Sequence, residues 1–407
     1  MSQKLPNTTY LTANQAAEYL GVSNATLYSY VSRGLLRSEP DGTNSRTRRY
    51  LAADVYALRQ RKEQRRNPAS VAATVLDFGE PVLNSGITLI MGGRLYYRGH
   101  DACVLARTHR FEEVANLLWT GELAPLPPPA PLPTSWLHLV NQIPPQTTPL
   151  AALQSLLPLV QTLDPSVHDT TPQAIARLGQ SIIQLLIAII GGEPRSSSIV
   201  DGLMSAWQPT LPDAASLLNA MLILTADHEL NISSFTARCV ASTGATPHAA
   251  LAAALAALQG PRHGGQTLRC EAFLREVAWD GPQAVTNRLR RGDPLPGFGH
   301  LLYPDGDPRG IFLTEAALAA APDSSAASVV RTARDAVFAQ IGKAPSLDFG
   351  LVAAGRILGL PSGAPLLLFA LGRIAGWIGH IIEQYQVDQL IRPRARYTGP
   401  QPRSADE

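Results

Sequence analysis

The sequence predicts a mostly α-helical protein, with one large helical domain preceded by a small, basic module of short helices and a hairpin. Three observations carry this. From Trp136 to Ala226 the apolar residues recur with a period near 3.6, as in Leu150 to Leu163, and nowhere do strand and helix patterns alternate as a parallel sheet requires. At 407 residues, 45% hydrophobic and 16% charged, the chain exceeds the usual single domain and is apolar enough for a large core plus an appended unit. Its charge is also divided. Residues 1–66 hold 11 Lys or Arg against 5 Asp or Glu, a net of +6, which leaves −4 for the remainder of a chain whose total is +2.

In chain order, Thr12-Ala13-Asn14-Gln15 reads as a capping box opening a short helix that buries Ala16, Ala17 and Leu20 and stops at Gly21. Ser23 caps a second helix, Asn24 to Arg33, with Leu27 and Val31 inward, Asn24, Thr26, Tyr28, Ser29 and Arg33 outward, and Gly34 at its end. Two short helices joined by Gly21-Val22-Ser23 form a helix-turn-helix, whose second helix suits the major groove. Asp41-Gly42-Thr43-Asn44 reads as a hairpin turn with Arg46, Arg48 and Arg49 on the return strand, and a helix from Ala52 to about Arg66 closes the module. Together with Arg33 and Arg37, these guanidinium groups surround the recognition helix and are placed to neutralise the phosphates of duplex DNA. The segment resembles the winged helix-turn-helix of MerR-type and excisionase-type DNA-binding domains. The alternative is a basic module that docks on the larger domain or mediates assembly. Residues 67–76 form the passage to the large domain, 77–407.

There, Gly86 to Ile90 and Arg94 to Tyr97 form a small hairpin turning at Gly92-Gly93. Six prolines between Pro125 and Pro133 exclude helix and strand and leave an extended surface connection. Leu178 to Ile190 comes nearest to a membrane span, but it falls short of the ~20 apolar residues a bilayer needs and contains Gln180, Ser181 and Gln184. It is expected to be a buried core helix. The first residues contain no apolar signal segment, and Cys103, Cys239 and Cys270 are odd in number and widely spaced. The expectation is a cytoplasmic protein with no membrane association, no disulfide framework and no bound metal.

The residue types that carry chemistry gather between His228 and Asp348. Ala226-Asp227-His228-Glu229-Leu230-Asn231 comes first, and Gly260-Pro261-Arg262-His263-Gly264-Gly265 follows the apolar helix Ala249 to Leu258. Then come Gly297-Phe298-Gly299-His300, Asp307-Pro308-Arg309 and Leu347-Asp348-Phe349-Gly350. Three histidines, an Asp and an Arg in glycine-punctuated breaks between helices point to acid–base chemistry on an anionic substrate.

In this order the segments resemble the citrate synthase family, whose members carry D-H-E-L-N, G-P-x-H-G-G, G-F-G-H…D-P-R and V-D-F segments. The likeness runs from about Asp77 to Gly399, and Tyr97-Arg98-Gly99-His100-Asp101, Phe111 to Ala115 and Gly121-Glu122-Leu123 match the opening of that fold. It implies an all-helical, two-lobed domain that joins the methyl carbon of acetyl-CoA to the ketone of oxaloacetate and then hydrolyses the thioester. Acetyl-CoA is a cosubstrate and no cofactor is involved. By motif position Asp348 is the base, His263 a neutral donor to the thioester oxygen, and His300 a donor to the ketone. His228, Arg309, Arg373 and Arg392 would hold carboxylates, with Arg392 reaching across the interface of a homodimer. His100 and His109 have no chemical role in the motif. Taken singly, each residue also has an ordinary reading: His228 a satisfied core histidine, His263 a helix C-cap, Asp348 an N-cap, Arg309 or Arg392 a surface ion pair.

Two departures fall where the family grips CoA. Leu301-Leu302-Tyr303-Pro304-Asp305 stands where a basic residue often follows the third histidine, and Gln266-Thr267-Leu268 where Ala-Asn is common; Arg262 and Lys343 are the candidates to compensate. Three functions stay open. They are an acyl-CoA:oxaloacetate condensing enzyme with a DNA-binding appendage, a transcription regulator that keeps the pocket as a metabolite sensor, and a 2-methylcitrate synthase using propionyl-CoA.

Overall fold

The computed structural model describes residues 10–41, 44–52, 54–56, 58, 59, 83–194, 198–395 and 397–400. The chain divides into two compact units, residues 1–84 and 85–407. The expected passage 67–76, the end of the closing helix toward Arg66, and the middle of the turn at Gly42-Thr43 lie outside the described residues.

The first unit orders β1 (Tyr10–Thr12), α1 (Ala13–Leu20), α2 (Asn24–Ser32), β2 (Ser38–Asp41) and β3 (Asn44–Leu51), followed by helical residues at 52, 54–56, 58 and 59. The strands form one antiparallel sheet in the order β1-β3-β2. Strand β1 is an addition to the sequence reading, three residues being too short for a period-two pattern to register. The capping box at Thr12 and Gln15 forms, Gly21 closes α1 at φ +61°, and Ser23 accepts the Thr26 N–H to start α2. Leu11, Ala16, Ala17, Leu20, Leu27, Leu36, Tyr50 and Val55 fill the core, while Val31 is only half-buried.

The second unit opens with β4 (Thr88–Met91), β5 (Arg94–Tyr97) and β6 (His100–Asp101), paired in that order. Gly92 and Gly93 have φ of +59° and +72°, which a two-residue hairpin turn requires. The helices that follow are α3 (Ala102–Thr108), α4 (Phe111–Thr120), α5 (Thr134–Asn141), α6 (Pro149–Leu163), α7 (Pro172–Ile189), α8 (Ile199–Trp207), α9 (Ala214–Thr225) and α10 (Ile232–Ala241). They continue with α11 (Pro247–Leu258), α12 (Gln266–Asp280), α13 (Gln283–Arg291), α14 (Pro308–Ala320), α15 (Ser325–Ile341), α16 (Leu347–Ile357) and α17 (Ala364–Val387). The proline run 125–133 holds neither helix nor strand.

Helix α7 is buried as expected, but the longest apolar helix is α17, 24 residues that include an 18-residue window of mean hydropathy 1.6. It is long and apolar enough to cross a membrane by length and composition, and its apolar window lies wholly inside the protein, as a core helix does. The sequence reading passed over it because Arg373, His380 and Gln384 interrupt the apolar run. Its glycines decide where it sits. A Cβ at Gly372 would collide with Thr225 Oγ1 and lie 2.5 Å from Leu222 O, and one at Gly376 would meet Ala226 O and, at 2.5 Å, Asp227 Oδ1. Only without those side chains can the Gly376 N–H donate to Ala226 O at 3.0 Å and the helix press against the end of α9. A second close approach brings α14 to α16, where a Cβ on Gly350 would lie 2.9 Å from Gly310 O.

Gly376→Ala should therefore lower the unfolding free energy by about 3 kcal/mol or more, the upper range for overpacking a core. Gly86→Ala is the control, because its Cβ meets atoms only at 3.6 and 3.7 Å. Thermal unfolding of the two variants should separate them clearly.

Candidate active site

The site is built on the segment between α9 and α10. Asp227 is fully buried and accepts from Thr88 Oγ1 at 2.6 Å and Ser234 Oγ at 3.4 Å, with His380 Nε2 at 3.2 Å. Burial alone would raise its pKa, but His380, Arg373 and Thr88 together hold it below the ordinary carboxylate value. The Tyr97 hydroxyl donates to Ile223 O at 2.9 Å and accepts the Asp227 N–H at 3.3 Å, so the hairpin braces the segment from the other side. Glu229 adopts a left-handed backbone, φ +51°, a strained conformation of the kind found where a site needs a tight turn. Asn231 then caps α10, its Oδ1 accepting the N–H groups of Ser233 and Ser234.

Ser233 joins this segment to the G-P-x-H-G-G turn. Its Oγ lies 2.8 Å from His263 Nε2 and 2.7 Å from Asn231 Oδ1, and it accepts the Trp377 indole N–H at 3.1 Å. The Ser233 hydroxyl donates to Asn231 Oδ1, which also accepts the N–H groups of Ser233 and Ser234, so the cap of α10 fixes the oxygen against which His263 Nε2 rests. Burial, with Arg373 adding to it, pushes the His263 pKa down to about 3, so the ring is neutral.

Two backbone bonds, Gly299 N–H to Ala344 O at 2.9 Å and Ser346 N–H to Gly297 O at 2.8 Å, tie the His300 loop to the start of α16, which carries Asp348. Gly297, at φ +86°, has no room for a side chain, since a Cβ would sit 2.7 Å from Cys270 Sγ and 2.8 Å from Phe349 Cβ. His300 Nδ1 accepts the Leu302 N–H at 3.1 Å, which puts the proton on Nε2. Burial and Arg309 lower its pKa and keep this imidazole neutral as well. Asp348 is the second residue of α16; its N-cap is Ser346. Burial pushes the Asp348 carboxyl up to about 7, against the pull of Arg309.

The arginines separate. Arg309 forms a bidentate pair with Asp307 at 3.0 and 2.8 Å, and Asp307 also accepts the Leu347 N–H at 3.1 Å, fastening α14 to α16. Burial works against the Arg309 charge, but Asp307 outweighs it and raises the pKa. Arg373 donates from Nε to Thr225 O at 2.7 Å, while its Nη1 is buried with no hydrogen-bond partner among the described residues and its pKa falls to about 10 through burial. His228, driven far below the ordinary imidazole value by burial and then Arg309, faces His300 edge-on at 5.3 Å and bonds Tyr303 Oη at 3.0 Å through Nε2. Tyr303 is the residue the sequence reading missed. It lies in the stretch noted only as a departure from the family, although an aromatic three positions beyond a site histidine was the available signal.

His228, His263, His300, Asp348, Arg309 and Arg373 are thus joined through shared partners and mutual electrostatic effects. Arg392 is exposed after α17, near Ile391, whose N–H donates to Ser242 Oγ at 3.1 Å. Arg262 and Lys343 are exposed too, with Lys343 running along Gly299, where a Cβ would lie 3.2 Å from its Cδ. In the first unit Arg33 is exposed at the end of α2. Arg37 is held by Asp54 through Nε and Nη2, both at 2.9 Å; Arg48 donates to Ser38 Oγ; and Arg49 pairs with Glu39 at 3.5 Å across the face of Tyr10. The Arg46 side chain lies outside the described residues.

Neutral imidazoles, a high-pKa carboxyl and buried arginines in one helical fold define an acid–base enzyme for an anionic substrate. Residues 78–394 match the family described as Citrate synthase, C-terminal domain, and residues 10–63 match a Helix-turn-helix domain. The chain is 30% identical over 348 residues to 2-methylcitrate synthase 2 of Corynebacterium glutamicum, covering 76% of this chain and 90% of that protein. It is 30% identical over 352 residues to Citrate synthase 2 of Bacillus subtilis (strain 168), covering 79% and 95%. The crystal structure of citrate synthase from Thermotoga maritima MSB8 shares the fold with a TM-score of 0.68 at 26% identity, over 80% of this chain and 96% of that one. The chain belongs to the citrate synthase family and is a condensing enzyme of that type, carrying a helix-turn-helix domain at its N-terminus. The chemistry of this family takes its acyl-CoA as a substrate and calls for no metal or prosthetic group.

The Asp348 shift sets a stability profile. Its folded pKa of about 7 lies above the unfolded value of ~3.9, so its contribution is complete below that lower value and is lost as pH rises through the higher one. Asp348→Asn removes that loss. The variant should melt a few degrees above the parent at pH 8, with the difference fading toward pH 4, as followed by thermal unfolding across the range.

Proposed function

We propose that the protein condenses an acyl-CoA with oxaloacetate, converting acetyl-CoA, oxaloacetate and water to citrate and CoA. The observation that carries this reading is Asp348, a carboxyl at about 7 in the same cluster as the two neutral imidazoles of His263 and His300. Asp348 takes a proton from the thioester methyl group while the neutral His263 ring steadies the enol oxygen that forms. The methylene carbon attacks the ketone, and His300 Nε2–H supplies the proton that the new alkoxide needs. Water then cleaves the thioester and releases the CoA thiol. Arg309 and Arg373, with His228, hold the carboxylates of oxaloacetate, and Arg373 Nη1, a buried donor with no hydrogen-bond partner among the described residues, supports this. Arg392, exposed in its own chain, serves the site of a second copy in a homodimer. Arg262 and Lys343 serve the CoA phosphates at the mouth. The similarity to a 2-methylcitrate synthase favours propionyl-CoA as the second acyl group to try.

Thiol release tests this. The protein should liberate CoA from acetyl-CoA or propionyl-CoA only when oxaloacetate is present, and Asp348→Ala should reduce turnover by at least a hundredfold, the lower range for loss of a general base. Arg392→Ala should also be inactive, and mixing it with Asp348→Ala under conditions of subunit exchange should restore part of the activity. Full activity in either single variant overturns its role.

For the first unit we propose duplex DNA binding, with the synthase unit bearing on it as a metabolite sensor, within a cytoplasmic protein. The exposed Arg33 and the Arg48 of the hairpin support phosphate contacts, whereas the Asp54 clamp directs Arg37 to holding the module together. Arg33→Ala and Arg48→Ala should each weaken binding to duplex DNA and flatten its salt dependence by about one unit of slope, and Arg37→Ala should instead lower the melting point. Titrations at several salt concentrations decide between these and the docking alternative, which predicts no salt-dependent DNA binding at all.

A further inference from the structure

We infer that Tyr303 is a positioning residue, whose phenol fixes the tautomer of His228 so that Nδ1–H is the donor offered to a substrate carboxylate. This rests on the proposed role of His228 in holding oxaloacetate.

The side chain of Tyr303 is 1% exposed, and among the described residues its hydroxyl has one hydrogen-bond partner, His228 Nε2 at 3.0 Å. A phenol has a single proton. If the imidazole donated to the phenol oxygen, that proton would be buried with nothing to accept it, so the phenol donates and Nε2 accepts. The proton of the neutral ring is then on Nδ1, which forms no hydrogen bond within the described chain. Burial and the neighbouring Arg309 keep this ring from gaining a second proton, so its tautomer alone decides what it presents. With Nδ1–H it offers a donor to a carboxylate; with the proton on Nε2 it would offer a lone pair and repel one.

The phenol is held by its ring rather than by its hydroxyl. Tyr303 stands 5.7 Å from the His228 ring, at 50°, and 5.2 Å from the His300 ring, and the Arg309 guanidinium carbon lies 5.5 Å from its centroid. Phenylalanine would keep all three contacts and lose only the proton that sets the tautomer. The stretch after His300 therefore acts on the dicarboxylate side of the reaction through Tyr303, in addition to its place near CoA.

Tyr303→Phe in the full-length protein tests this. Nitrogen–proton correlation spectra of histidine-labelled, ligand-free protein, with His228 assigned through His228→Gln, should show the Nδ1–H tautomer in the parent and a change toward Nε2–H in the variant. In thiol-release assays KM for oxaloacetate should rise about tenfold, the scale of one hydrogen bond, with KM for the acyl-CoA unchanged and kcat little altered. An unchanged tautomer or an unchanged KM for oxaloacetate overturns the inference, and so does a loss confined to kcat, which would put the phenol on the reacting atoms. If the parent releases no thiol, the condensing reading fails while the spectra still judge the tautomer.

Discussion

The site depends on a carboxylate that has no access to water. Asp227 is ionised inside the protein because Thr88, Ser234 and His380, from three separate parts of the chain, converge on it, with the Arg373 charge close enough to help. Removing any one partner would leave part of a buried charge uncompensated, which costs far more than the pair contributes when intact. The hairpin, α10 and α17 are thereby held in register around the segment that carries His228. The missing side chains of Gly372 and Gly376 make the convergence possible, because the helix cannot otherwise come within hydrogen-bonding distance of Ala226.

Three aspartates in this region show how surroundings divide one chemical group among three tasks. Asp227 is kept charged by its partners and acts as a fixed post. Asp307, equally enclosed, is kept charged by Arg309 and joins two helix starts. Asp348 has no such ion pair among the described residues, so burial dominates and leaves it poised near neutrality, where a carboxyl can exchange protons at little cost. The histidines divide in the opposite direction. All three are held neutral by burial, and what distinguishes them is the atom that occupies one nitrogen: Ser233 Oγ for His263, the Leu302 N–H for His300, and Tyr303 Oη for His228.

Much of this was legible in the chain. Caps and glycines marked the short helices at Thr12 and Ser23, the hairpin at Gly92-Gly93 followed from turn chemistry, and the ordered motifs named the histidines and Asp348. What escaped depended on contacts distant in sequence. Helix α17 hid its length behind polar residues whose partners lie more than a hundred residues away, as in Arg373 to Thr225 and His380 to Asp227. The pairing of Arg37 with Asp54 was equally hidden, because nothing local in the sequence joins the two. Tyr303 was noted only within a stretch that departs from the family, and its hydroxyl acquires meaning only once His228 lies beside it.

The unsatisfied Arg373 Nη1 has a consequence for how the protein behaves when idle. A buried donor without an acceptor among the described residues is a frustrated contact, and a dicarboxylate held there, as proposed above, would relieve it as a missing core residue would. Substrate and fold are then thermodynamically linked. A ligand at a hundred times its dissociation constant would add about 2.7 kcal/mol to the folded state, and amide exchange in α17 and the end of α9 should slow most. Such a protein reports the availability of its own substrate through its rigidity, whether or not turnover is taking place.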